Sequence, residues 1–476
     1  MDAVDSSFIA GGTAPARTRR AETTISRILL LKGAMWTVGA FGAGQLLRLV
    51  SNIILTRLLA PELFGIMQIV QTLRNGAELF SDVGIGQTII YDESANDPDF
   101  YNTAWSLQSV RGIFLWLALS SLAGPIASFY REPVLVAVIP VAVFATVLWG
   151  FSSISRPLLQ KRMKFSTLTA FELTIGLTSS AVTIVFAYFS PTVWALVFGN
   201  LFAATILMIG SHFLLPGIQQ RFHIVKRYAR RILSFGKWIF LSSIIYFLSS
   251  NFDRLYLAKT IPLALLGIYG LARALSELAS AVVMGVSGNV VFPFIASHSH
   301  MPRAELRRQL APIRVKFLLL TGLGLSAFAA TADLAIRVLY DQRYHAAAWM
   351  LPILIIGAWF SIVSSVNEST VMGLGRPNYT AFANAAKFAF LLLGLTLGVA
   401  RYGVAGGVVA VAVSDLCRYV PVLVGLVRER FSFGRQDAVA TLVLFGLVAF
   451  WEWLRWSAGL GTSLDTFPLD LHAILG

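Results

Sequence analysis

The chain has 476 residues, 56% of them hydrophobic and 13% charged, with a net charge of +14. A soluble domain carries about 25% charged residues, so a water-soluble globular protein is excluded. The basic excess does not mark a nucleic-acid binder either, because its placement along the chain follows membrane topology.

Residues 1–27 are polar, hold Arg17, Arg19 and Arg20, and lack the apolar core of a cleavable signal. They read as a disordered cytoplasmic tail. Crossing a bilayer takes roughly 20 apolar residues. Such runs predict spans near 33–58, 63–90, 104–129, 134–155, 166–189, 192–215, 235–258, 264–296, 315–332, 349–375, 379–400, 403–427 and 437–456. With the N-terminus in the cytoplasm, the tail and the connections after even-numbered spans carry 24 of the 38 Lys and Arg residues. The opposite face carries six: Arg57, Arg131, Lys259, Arg337, Arg343 and Arg401. This bias obeys the positive-inside rule and makes membrane lipids with anionic headgroups the partner of the basic charge.

Two cytoplasmic segments stand out. YDESANDPDFYN at 91–102 has four acids and no base and reads as a solvated loop. QQRFHIVKRYARRILSFGKW at 219–238 places Val225, Tyr228, Ile232 and Phe235 at helical spacing, opposite Lys226, Arg227, Arg230 and Arg231. That pattern predicts an amphipathic helix on the inner leaflet, and equally a basic loop that sets topology. The lone Cys417 reads as a packing residue. His298 and His300 read as solvated rather than metal-bound. Trp36, Trp105, Trp149, Trp194, Trp238 and Trp349 fall near predicted span ends, as an aromatic belt does. The sequence has no Gly-Lys-Ser/Thr phosphate loop, which argues against an ATPase. No residue pattern points to an enzyme, a metal or a bound cofactor.

LTRLLAPELFGIM at 55–67 and LAKTIPLALLGIY at 257–269 align without a gap at an offset of 202 residues. Leu63 meets Leu265, and Gly65-Ile66 meets Gly267-Ile268. Six spans separate the copies, so both enter the membrane in the same direction. The expectation is an all-α polytopic membrane protein of about 12–14 spans, with two parallel-repeat six-helix lobes and one or more extra C-terminal helices. The divisions are a tail at 1–27, an N-lobe at 28–215, an amphipathic linker at 216–234, a C-lobe at 235–427, and an extra helix and tail at 428–476. Two lobes around a cleft are the architecture of alternating access; without transport they would form a membrane scaffold.

Arg48, Arg74, Arg111, Arg254, Arg273, Lys387, Arg418 and Arg455 fall within predicted spans, with acids including Glu78, Asp82, Glu172, Asp253, Glu277, Glu368, Asp415 and Glu452. Eight unpaired cations facing lipid would cost on the order of 20–28 kcal/mol, more than the ~5–15 kcal/mol that holds a protein folded. Spacing predicts pairs along one helix for Arg74, Glu78 and Asp82, for Arg273 and Glu277, and for Asp415 and Arg418. Adjacent Asp253 and Arg254 point apart. Glu452 and Arg455, near a span end, are expected to snorkel. A cleft with surplus cations suits an anionic ligand, above all a diphosphate, which Arg binds bidentately. Arg48, Arg74, Arg111, Arg254, Arg273, Lys387 and Arg418 are therefore the candidates for binding it. Asp253, Glu277, Glu78, Asp82 and Asp415 are the candidates for coupling or for orienting those cations.

LTRLLAPELFG at 55–65, SDVGIGQTII at 81–90, RPLLQKRMKFSTLTAFE at 156–172, NFDRLYLAK at 251–259, LLGIYGLAR at 265–273 and VVFPFIA at 290–296 together resemble polysaccharide flippases of the Wzx/polysaccharide-transporter type. These belong to the multidrug/oligosaccharidyl-lipid/polysaccharide exporter superfamily. The resemblance implies a bacterial inner-membrane protein with a cytoplasmic N-terminus. It would carry an undecaprenyl-diphosphate-linked oligosaccharide from the cytoplasmic to the periplasmic leaflet by alternating access, for exopolysaccharide, capsule or O-antigen assembly. An H⁺ or Na⁺ gradient is the drive it implies, and polymerase and export machinery are the partners. The family commonly has 12 or 14 spans; thirteen here leave the side of the tail open. An ion-coupled multidrug antiporter of the same superfamily is the alternative, and it would need an acid-dominated cavity.

Overall fold

Inside hydrocarbon a chain must satisfy its own N–H and C=O groups, and a helix does so within one segment. The computed structural model describes residues 42–286 and 301–467, with Gly39, Val291 and Ile295, and every regular element among them is helical. The first helix covers 42–58 and a two-residue turn leads to Pro61, which opens helix Pro61–Phe80 at the position where its missing N–H costs nothing. Then follow Ile85–Tyr91, Pro98–Ser121, Ala123–Tyr130, Leu135–Val143, Ala145–Gly150 and Ser155–Lys161. Long helices complete the chain: Phe165–Phe189, Val193–Phe213, Lys226–Thr260, Leu263–Val286, Arg303–Leu339, Ala347–Gly373, Asn378–Arg428 and Gly434–Ser457.

Among the described residues, six helices are long and apolar enough to cross a membrane, or eight if each of two bent pairs is one span. The bends are 48° between Pro98–Ser121 and Ala123–Tyr130, and 53° between Leu135–Gly150 and Ser155–Lys161. Helices Pro61–Phe80 and Lys226–Thr260 fall outside that set because they carry inward-facing polar side chains, Arg74 and Glu78 on one, Asp253 and Arg254 on the other. Spans expected at 379–400 and 403–427 form one hydrogen-bonded run that reverses at Tyr402 and Gly403. Gly403 has φ +55°, open to glycine at no steric cost. The two arms then lie so close that a Cβ on Gly406 would stand 2.1 Å from the Gly398 carbonyl oxygen.

Helix Ala347–Gly373 is the most enclosed, with 78% of its most apolar stretch buried, against 11% for Phe165–Phe189. Its companions are the 378–428 hairpin, Leu263–Val286 and Arg303–Leu339. One end of the molecule is sealed. Helices Pro61–Phe80 and Leu263–Val286 cross there at glycines: a Cβ on Gly65 would lie 2.3 Å from the Leu263 carbonyl oxygen, and one on Gly267 2.0 Å from that of Pro61. The two contacts are counterparts under the 202-residue offset, which carries Pro61 to Leu263 and Gly65 to Gly267: in each, the glycine of one copy meets the carbonyl that opens the helix of the other. Around them Arg57 donates to the Leu339 carbonyl at 3.3 Å, Arg343 to that of Arg57 at 3.1 Å, and the Tyr344 hydroxyl to that of Leu59 at 2.9 Å. The C-terminal segment packs at the same end, Phe467 lying edge-on to Trp349.

The segments at 91–102 and 219–238 differ from expectation. Residues 221–225 are not helical, and the N–H groups of Arg221, His223 and Val225 are accepted by Asn102, Ser106 and Thr103. Helix Lys226–Thr260 then continues unbroken into the span that follows. Tyr228 and Ile232 are buried against Ile85, Phe100 and Trp105, so this face packs on protein rather than on the leaflet. The acidic loop is likewise docked: Arg231 pairs with Asp92 at 3.0 Å, and the Tyr228 hydroxyl donates to Asp97 at 2.6 Å. That bond holds the Asp97 carboxyl below its ordinary range. Sequence spacing showed the amphipathic stripe; only folding showed what covers it. Trp105 and Trp349 are buried, not belt residues. Trp36, His298 and His300 lie outside the described residues.

Candidate functional site

Helix Pro61–Phe80 turns Asn75 and Glu78 to one side, and Asp82 follows in the turn that ends it. Asp82 accepts the Gly84 N–H at 2.9 Å, and Gly84, at φ +68°, restarts the chain as helix Ile85–Tyr91. These residues form one wall of a cavity of about 690 Å³. Arg111 closes that wall, and Arg254, Arg273, Glu277, Lys387, Asp415 and Arg418 form the other. Nine of the twelve candidate residues therefore meet in one space. Helix rise is ~1.5 Å per residue, which puts Arg273 about 15 Å from the first residue of its helix, near the middle of a ~30 Å hydrocarbon core.

Glu277 is the hub. Its two carboxylate oxygens accept from one Arg254 nitrogen at 2.7 and 2.8 Å, and Arg273 Nε lies 3.0 Å from Oε1. Asn251, one turn before Arg254, accepts from its other terminal nitrogen at 3.0 Å. Asp253 lies behind, 2% exposed, 3.7 Å from Arg273, and accepts the Tyr269 hydroxyl. It supports Arg273 from outside the cavity lining. Lys387 pairs with Asp415 at 2.7 Å across the two arms of the hairpin. Arg418 pairs with Glu368 at 2.8 Å. Arg111 donates to the Ser81 hydroxyl at 2.8 Å and to the Glu78 carbonyl. It also lines an adjoining space of about 410 Å³ with Glu78, Gln108 and Trp149.

Several expectations are corrected here. Asp415 and Arg418 are not each other's partners; each pairs across to another residue, because side chains three apart on a packed helix still face different neighbours. Arg74 lies outside the cavity lining, its guanidinium 4.6 Å from the centre of the Trp149 ring and its Nε 3.5 Å from Glu78. Arg48 is exposed and lines none of these cavities, with no ion pair among the described residues. Arg455 does not snorkel: it is buried and bidentate to Asp333 at 2.8 and 3.0 Å. Glu452 accepts from Ser463, fixing the turn that follows. Residue counting had also given the cleft surplus cations. The wall holds five cations and four carboxylates, and Asp253 and Glu368 stand directly behind it. Charge is thus nearly balanced, and what singles the site out is how loosely one partner is held. The side chain of Glu277 is 44% exposed, against 4% for Asp415 and 10% for Glu368.

The sequence model of the polysaccharide biosynthesis protein family matches residues 54–349, more than half of the chain. The chain is 23% identical over 392 residues to the lipopolysaccharide biosynthesis protein WzxC of Escherichia coli (strain K12), spanning 79% of this chain and 76% of that protein. It is 20% identical over 400 residues to the succinoglycan biosynthesis transport protein ExoT of Rhizobium meliloti (strain 1021), spanning 83% and 78%. Among solved structures, it superposes on the inward closed conformation of the lipid II flippase MurJ with a TM-score of 0.70 at 11% identity, covering 94% of this chain and 95% of that one. An inward-facing multidrug resistance MATE transporter of the MOP superfamily superposes at 0.60 with 14% identity, covering 83% and 95%. At such identities the structures establish the fold, an all-helical one common to membrane transporters. The match over residues 54–349 goes further: the chain is a multi-pass membrane protein that belongs to the polysaccharide biosynthesis protein family.

Proposed function

We propose that this protein is a flippase that moves an undecaprenyl-diphosphate-linked oligosaccharide from the cytoplasmic to the periplasmic leaflet of the bacterial inner membrane. The relatives named above support the substrate class. The single observation that carries the reading is the half-exposed Glu277 shared by Arg254 and Arg273 inside a cavity of about 690 Å³. A carboxylate bridging two guanidiniums holds the place of a more highly charged group with paired oxygen acceptors, and a diphosphate fits that description. An entering diphosphate displaces Glu277 and takes both arginines. Glu277 then returns when the load leaves, so the cavity is never left with two uncompensated cations.

The sealed end at Gly65 and Gly267 is the periplasmic end in this reading, and the N-terminus is cytoplasmic. The two halves act as lobes that rock about the glycine crossing. The displaced Glu277, or Asp415 once Lys387 moves, is the group that takes up a proton if an H⁺ gradient drives the cycle. Polymerase and export machinery receive the product. A multidrug antiporter would need an acid-dominated cavity, whereas this one is lined by five cations and four carboxylates.

The test is mass spectrometry of lipid-linked sugars in a strain lacking the protein, complemented with wild type or with Arg254→Ala/Arg273→Ala. Undecaprenyl-diphosphate oligosaccharide should accumulate in the deletion and in the double variant, and clear with wild type. Normal lipid-linked sugars and normal polymer in the deletion would overturn the reading.

A further inference from the structure

Closer to the sealed end lies a third cavity of about 410 Å³ with no charged residue in its lining. Four side-chain amides converge on it: Asn52, Gln68, Gln71 and Asn200. They come from three helices, 42–58, Pro61–Phe80 and Val193–Phe213. None makes a hydrogen bond to any described residue, and the Asn52 carbonyl oxygen is buried without a partner. Leaving a buried group such as the Asn52 oxygen unsatisfied costs about 1–3 kcal/mol; Gln68, Gln71 and Asn200, which keep solvent access, bring three more unbonded amides to the same space, and the lining as a whole suits a polar occupant. The site is built to leave them free. Gly270 lets the Gln68 amide lie against its backbone; a Cβ there would stand 2.5 Å from that amide's oxygen.

Position ties this space to the charged cavity. Gln68, Gln71, Asn75, Glu78 and Asp82 follow one another at intervals of three and four along helix Pro61–Phe80 and its terminal turn, a single stripe. Its first two members line the neutral cavity and its last three the charged one. Gln71 stands seven residues from Glu78, about 10 Å along the helix.

We infer that the neutral cavity is a second binding site, for the uncharged, hydroxyl-rich glycan of the transported molecule. Each amide offers a donor and an acceptor together, which matches the paired hydroxyls of a sugar, and carries no positive charge to balance a diphosphate. The cavity's size lies within the ~300–1,000 Å³ of small-molecule sites, and Phe64 and Tyr344, edge to face at 6.0 Å, close one side with apolar surface. The charged cavity thus holds the diphosphate and the neutral one holds the sugars. This inference rests on the flippase reading for the identity of the load, and not for the existence of the site.

The experiment uses the full-length protein in lipid nanodiscs and native mass spectrometry with three probes: a polyprenyl-diphosphate oligosaccharide of neutral sugars, the same polyprenyl diphosphate without sugar, and the free oligosaccharide. Gln71→Ala/Asn200→Ala should weaken the glycosylated carrier by about 5- to 30-fold, the loss of two hydrogen bonds, and leave the sugar-free carrier unchanged. Arg254→Ala/Arg273→Ala should weaken both carriers. Equal weakening of both carriers by the amide variant, or no weakening of either, overturns the glycan site. If wild type binds neither carrier, the flippase reading fails; free oligosaccharide binding that disappears in the amide variant would still establish the site, and its absence would overturn it. Gly270→Ala is the second variant: all four amides remain, and displacing Gln68 should still weaken the glycosylated carrier alone.

Discussion

Two regions of the molecule bury arginines among carboxylates, and they treat them differently. Around the charged cavity, Glu277 serves Arg254 and Arg273 while remaining 44% exposed. Between helices Arg303–Leu339 and Gly434–Ser457, Arg314 and Asp437 form a pair that is 2% and 4% exposed. Asn367 and Tyr419 complete the carboxylate's hydrogen bonds there, at 3.0 and 2.9 Å. Arg455 and Asp333 repeat the arrangement further along the same helices, at 7% and 3%. The second region is enclosed and its residues line none of the cavities described above; it fastens the last helix to the bundle. A buried ion pair is weak support for stability or for function by itself. What separates the regions is whether a partner can be exchanged for something arriving from outside.

That contrast is open to direct attack. The largest effect should come from Arg254→Ala/Arg273→Ala, which should abolish export in vivo while the protein still reaches the membrane at wild-type level. Export by the double variant would erase the distinction between the regions. Next in size is Asp437→Ala, which leaves Arg314 buried without its counter-charge and should cost about 3–5 kcal/mol, read as a lower midpoint in thermal unfolding of the detergent-solubilised protein. Arg314→Met with Asp437→Leu should recover most of that loss and keep export. Failure of export in a well-folded double variant would move this region into the working machinery.

Glu277→Gln sharpens the contrast from the other side. Removing the competing charge should tighten binding of a polyprenyl diphosphate by about tenfold, some 1.4 kcal/mol, and slow export because the load is released late. The same change at Asp437 should do neither. Gly65→Ala tests whether exchange needs the sealed end to part. Its Cβ would sit 2.3 Å from the Leu263 oxygen, and overpacking of this kind costs about 1–3 kcal/mol. Cross-linking of Arg57→Cys to Arg343→Cys, in a Cys417→Ser background, should fall accordingly. The smallest effect concerns pH. Asp97 has its carboxyl lowered by the Tyr228 hydroxyl, so its contribution is present above the unfolded value near ~3.9 and fades as pH falls through the folded one. Protease sensitivity of the 91–102 loop should stay flat from neutral pH down to that range and rise below it. In Tyr228→Phe the rise should begin at higher pH.

Some of the site was legible because its logic is local. Arg74 with Glu78, and Arg273 with Glu277, are four residues apart, and a helix brings such pairs together whatever surrounds it. Asn251 was equally readable, three residues before Arg254, yet its amide carries no charge and drew no notice. The partners of Lys387, Arg418 and Arg455 were not readable as such. Asp415, Glu368 and Asp333 lie 28, 50 and 122 residues away in sequence. Local spacing even suggested the wrong partner for Arg418. The neutral cavity drew no notice, because its amides carry no charge, and Asn52 and Asn200 acquire meaning only where their helices meet Gln68 and Gln71.

The amino-acid sequence by itself determined that this chain lives in a bilayer, that its long elements are helices, and that intramembrane charges had to be hidden. Those follow from one-dimensional quantities, the length of apolar runs and the cost of a charge in hydrocarbon. Tertiary structure alone decided which charges distant in sequence neutralise one another, which carboxylate stays half-exposed, and that Val225, Tyr228 and Ile232 of the amphipathic stripe pack on protein rather than lipid. The physical reason is that pairing and solvent access depend on helices meeting across distances that sequence separation does not encode.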